Sequence, residues 1–134
     1  MRFNASDFLT REGASLLEYC SDLLDEGVEV DFSSDEVDSL RDSMECMDAS
    51  HLVFALEIGA KISPKTFIAL APYYLRHSEL SVACAAARVL SQSRRELIGD
   101  ATINEVRGLL TADSVNNREL IERLVSEWNL DKLT

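Results

Sequence analysis

The 134-residue chain is 46% hydrophobic and 28% charged, with 24 Asp+Glu against 13 Lys+Arg and a net charge of −11. That length and apolar content predict a single helical domain over residues 1–134; the charge argues against partners such as nucleic acid or an anionic membrane surface, both of which demand cationic contacts. No stretch approaches the roughly 18 apolar residues of a membrane span, and Met1-Arg2-Phe3-Asn4-Ala5-Ser6-Asp7 lacks a secretory core. Cys20, Cys46 and Cys84 form no CxxC pair, so a cytoplasmic protein with reduced, buried thiols is expected.

Apolar residues recur at helical spacing along the chain and no segment alternates cleanly, which predicts an all-α fold. Leu16, Leu17, Cys20, Leu23 and Leu24 form one stripe, with Gly27 as the stop and a turn from Gly27 to Phe32. Ser33 or Ser34 caps a second helix with Asp35 and Glu36 in its first turn; Val37, Leu40, Met44 and Met47 form its buried face and it ends near Asp48. A third helix spans about Ala49 to Lys61, burying Leu52, Val53 and Leu56. Ser63-Pro64 reads as N-cap and first-turn proline of a fourth, which Pro72 should kink or interrupt because it has no N–H for the Ile68 carbonyl. The fifth, about Glu79 to Ser93, carries the small-residue run Val82 to Leu90 and should be central. Two amphipathic segments follow, with Ile103, Val106, Leu109 and Leu110, then Leu120, Ile121, Leu124, Val125 and Trp128. About seven short helices result, arranged as stacked antiparallel hairpins or as a compact orthogonal bundle.

The stretch Phe67 to Leu90, with Pro72 inside its first helix and Val82, Ala86, Ala87 and Leu90 in its second, resembles a HEAT-type repeat, although Ala83 stands where such repeats often carry arginine. The resemblance implies stacked helical hairpins serving as a protein-binding scaffold.

The charge is not spread evenly. Between Glu18 and Asp48 there are twelve acidic residues against the single Arg41, whereas the rest of the chain holds twelve acidic and twelve basic side chains. Glu18, Asp22, Asp25 and Glu26 recur at helical spacing opposite the leucine stripe; Asp38, Asp42 and Glu45 repeat the arrangement on the second helix, with Glu29 and Asp31 in the turn between. Like charges at i, i+4 repel by a few tenths of a kcal/mol per pair, so a segment built this way carries a stability cost. These nine residues are the candidate partner-binding site.

Other chemistry fails on residue type. The Asp22 to Gly27 stretch resembles a calcium loop only in its glycine, because Leu24 and Ser33 occupy ligand positions. His51 and His77 suit polar or capping roles, since Cys46 and His51 have neither HxxxH nor CxxC spacing. No phosphate-binding glycine motif is present. Tyr74 and Trp128 continue apolar faces and are assigned to the core; Tyr73 points elsewhere as an exposed anchor, and Arg94-Arg95 suits a helix C-terminus. No cofactor, metal or catalytic residue is expected. The expected function is that of an immunity protein or antitoxin-like inhibitor, whose carboxylates stand in for phosphates at the cationic site of a basic toxin domain, above all a nuclease. A HEAT-like scaffold or adaptor is the alternative.

Overall fold

Local sequence accounts for most helix boundaries in the computed structural model, which describes residues 1–93, 95–111 and 117–133. Among them are eight α-helices and no β-strand: α1 (Ala5–Thr10), α2 (Gly13–Leu24), α3 (Ser34–Ser43), α4 (Ala49–Ile62), α5 (Pro64–Tyr74), α6 (Leu80–Gln92), α7 (Asp100–Leu109) and α8 (Arg118–Leu133). No helix among the described residues is long and apolar enough to cross a membrane. The Ser33 hydroxyl caps α3 by accepting from the Glu36 N–H, and the Asp48 carboxylate caps α4 by accepting from the His51 N–H at 2.8 Å. Ser63 holds the N-cap position of α5 with Pro64 following, but its hydroxyl bonds Thr66 instead of a backbone N–H.

Several sequence expectations are corrected. Helix α1 was absent from the seven expected; it is six residues long and leans on tertiary contacts, with Asn4 capping Asp7 and the Glu36 carboxylate accepting from the Ala5 N–H at 2.6 Å. Helix α3 stops at Ser43 and passes into a 3-10 turn, Met44–Cys46, so Asp48 begins the next helix instead of ending this one. Helix α5 is not interrupted at Pro72, which lacks the N–H for the Ile68 carbonyl, but it ends two residues later at Tyr74. Leu17 is 56% exposed, because the buried arc of α2 is centred on Leu16, Tyr19, Cys20 and Leu23. Only Cys20 is a buried thiol; Cys84 is intermediate and Cys46, in the 3-10 turn, is exposed. Arg94 lies outside the described residues.

One row of helices is continuous and two pairs flank it. Helix α2 packs on α4, α4 on α6 and α6 on α8; α1 packs on α3 and α5 on α7, with α3–α4, α4–α5, α5–α6 and α7–α8 contacts joining the pairs to the row. Polar contacts fix the sense of α2 and α4. Just before α2, the Arg11 carbonyl accepts from His51 Nε2 at 3.0 Å near the start of α4; past its other end, Lys61 Nζ donates to the Leu23 and Asp25 carbonyls at 2.6 and 2.8 Å. The two helices therefore run parallel. His51 Nδ1 also lies 2.9 Å from the Asp48 carboxylate, so the ring bridges the start of α4 to the segment before α2.

One hydrophobic cluster runs from Phe3 and Phe8 through Leu23, Leu40 and Leu56 to Phe67, Leu90 and Ile121. Helix α6 sits at its centre as expected, with Val82, Ala83, Ala85, Ala86 and Ala87 buried against α4, α5 and α8. Helices α4 and α5 meet closely at Gly59, where a Cβ would lie 2.3 Å from the Phe67 ring. Tyr74 and Trp128 are core, whereas Tyr73 is exposed, as expected. Asn117, at φ 62°, donates from its side-chain amide to the Leu75 and His77 carbonyls, tying the start of α8 to the end of α5.

Candidate functional site

All nine expected partner-binding carboxylates are exposed. Their surroundings separate them into three sets.

Glu18 and Asp22 lie four apart on the outward face of α2, while Asp25 and Glu26 fall just past its end at Leu24 and not within the helix as expected. The last turn of α2 contains no basic residue, although it is a negative dipole end. Lys61, reaching over from α4, supplies the missing cation by binding the Leu23 and Asp25 carbonyls. The Asp25 carboxylate turns back to accept from the Gly27 N–H at 2.9 Å.

On α3 the single cation of the acidic segment is already engaged. Arg41 reaches Asp38 at 3.3 Å and Asp42 at 3.4 Å, which partly neutralises that ridge and leaves Glu45 beyond it on the 3-10 turn. These are exposed pairs, each contributing little to stability.

Glu29 and Asp31 occupy the connection between the helices. Its position is held by main-chain bonds, from the Phe3 N–H to the Asp31 carbonyl at 2.8 Å and from the Asp31 N–H to the Met1 carbonyl at 2.7 Å. The acidic turn is thus a held feature of the fold. Helices α2 and α3 are not a packed pair: α2 lies in the row with α4, and α3 packs on α1 and α4. The two ridges therefore sit on helices that do not pack as a pair and are joined by this turn.

Two further carboxylates of the segment have structural roles. Glu36 receives the Ala5 N–H and Asp48 caps α4; the His51 N–H and ring hold the Asp48 carboxyl below the usual carboxylate range. Elsewhere, burial, with Glu57 adding a smaller effect, pushes the Cys20 thiol up to about 12, which makes it a poor nucleophile. His77 accepts the Glu79 N–H through Nδ1 at 3.0 Å just before α6, a capping role.

Sequence reasoning missed a groove of about 530 Å³ where the ends of α2, α4 and α6 converge. Leu24, Ala60, Pro64, Val89 and Leu97 give it apolar walls, and Glu57 pairs with Arg88 at 2.6 Å along its side. A second depression of about 360 Å³, lined by 28–32, shares Lys61 with the first. Leu24, at the end of α2, is the signal the sequence offers, but its spacing reads as core. Comparison with protein-family models, curated proteins and solved structures returned no match.

Proposed function

We propose that this chain is a binding protein that neutralises a basic protein partner, in the manner of an immunity protein or antitoxin directed at a nuclease toxin domain. One observation carries the reading: the entire net charge resides in 18–48, and every expected ridge carboxylate there is exposed while the remaining chain is balanced. Such a surface accelerates encounter with a cationic site and presents carboxylates where that site would otherwise hold phosphates. The charge lies on α2, α3, the 3-10 turn after α3 and the held connection between α2 and α3. The work would be done in a reducing, cytoplasmic setting, which suits three unpaired thiols.

The test is a rescue assay. The protein encoded beside this chain is expressed alone and together with it; toxicity alone and growth on co-expression support inhibition. Rescue should be lost when Asp22, Asp25, Asp38 and Asp42 are all changed to Asn. Undiminished rescue by that variant would refute the role of the acidic surface.

A second reading is a HEAT-like scaffold or adaptor, with which the parallel run of α2 and α4 is compatible. A scaffold would bind partners along a helical face and tolerate the four substitutions.

A further inference from the structure

The groove at the ends of α2, α4 and α6 and a second depression both have Lys61 in their lining. Apolar side chains contribute to both: Leu24, Ala60, Pro64 and Val89 on one side, Val28, Val30 and Phe32 on the other, with Phe32 43% exposed. Apolar concavities carrying an exposed aromatic are where binding energy concentrates in protein interfaces.

The charges select the occupant. Inside the groove the cations are already answered, Arg88 by Glu57 and Lys61 by the carbonyl end of α2. Among the described side chains around it carboxylates outnumber cations: Asp25 shares the Lys61 contact through its carbonyl, Glu26 follows, and Glu29 and Asp31 line the second depression, against Lys65 beside Pro64. An acidic ligand would be repelled by this rim. A second copy of the chain, itself at −11, would bring the same repulsion. An apolar side chain flanked by cations satisfies both the walls and the rim.

We propose that this paired groove receives a segment of a basic protein in which one or two large apolar side chains lie between lysines or arginines. The inference rests on the acidic-surface reading above and adds to it the apolar anchor that gives the contact its register. The groove supplies selectivity among cationic partners, while the carboxylates supply encounter rate.

Two labelled peptides of equal length and charge separate the contributions: Lys-Lys-Leu-Phe-Lys-Lys and Lys-Lys-Gly-Gly-Lys-Lys, titrated against the full chain at low salt by fluorescence anisotropy. The Leu-Phe peptide should bind roughly tenfold more tightly. That preference should disappear in Gln92→Trp, which fills the groove from an exposed position on its wall, and should weaken in Phe32→Ala; circular dichroism reports whether each variant remains helical. Asp25→Asn with Glu26→Gln should weaken both peptides alike. Equal binding of the two peptides, or a preference unchanged in both groove variants, overturns the groove assignment and leaves the acidic-surface reading standing. If neither peptide binds, both fall.

Discussion

Replacing Asp22 with lysine should stabilise the free protein while weakening it as a binder. In α2, Asp22 stands four residues after Glu18 and within a last turn that carries no cation. Lysine there converts one like-charge i, i+4 pair into an attractive one, worth about 0.4–1 kcal/mol. It also replaces an anion with a cation at a negative helix end, worth a further ~0.5–1 kcal/mol after allowance for exposure. The expected gain is about 1–2 kcal/mol at low ionic strength, or roughly 3–8 °C in Tm for a chain of this size. Thermal denaturation with circular dichroism, repeated across ionic strengths, reads it directly. At about 1 M salt, where the screening length is near 3 Å, most of the gain should vanish. A neutral or destabilising effect at low salt would refute the argument that the α2 carboxylates carry a cost in the free protein.

Gly59→Ala should destabilise by about 1–2 kcal/mol in urea denaturation, because its Cβ would meet the buried Phe67 ring at 2.3 Å and overpacking outweighs alanine's helical advantage. Asp48→Ala removes the α4 N-cap and should cost about 1 kcal/mol at neutral pH. Because His51 lowers the folded-state pKa of Asp48, this stabilisation is complete above the unfolded carboxylate pKa near ~3.9 and is lost as pH falls through the lower folded value; the gap between wild type and variant should therefore close only in strong acid. Thiol labelling of the native protein, read by mass spectrometry, should modify exposed Cys46 quickly and buried Cys20 only on unfolding.

The helical class and most boundaries were legible because they rest on local chemistry: the Ser33 cap, proline following Ser63, and apolar spacing in α4, α6 and α8. What escaped was set by contacts distant in sequence. Helix α1 has too few residues for a periodic signal and borrows Glu36, thirty-one residues away, to cap its first N–H. Leu17 reads as core on spacing alone, since a stripe does not reveal how wide an arc its neighbour will cover. Exposure of the carboxylates was equally legible, being local to each helix face. Their grouping was not: the Arg41 pairs follow from helical spacing, but the Lys61 bond to the end of α2 spans thirty-eight residues and depends on α2 and α4 running parallel. The groove likewise needs three helix ends to meet.

The most direct test of the account is the affinity of the purified chain for the basic peptide Lys-Lys-Leu-Phe-Lys-Lys, measured by calorimetry across a salt series, for wild type and for the variant with Asp22, Asp25, Asp38 and Asp42 all changed to Asn. The account predicts that wild-type affinity falls steadily as salt rises and that the variant binds far more weakly with a much flatter salt dependence. Equal affinity and equal salt dependence for the two proteins would contradict it.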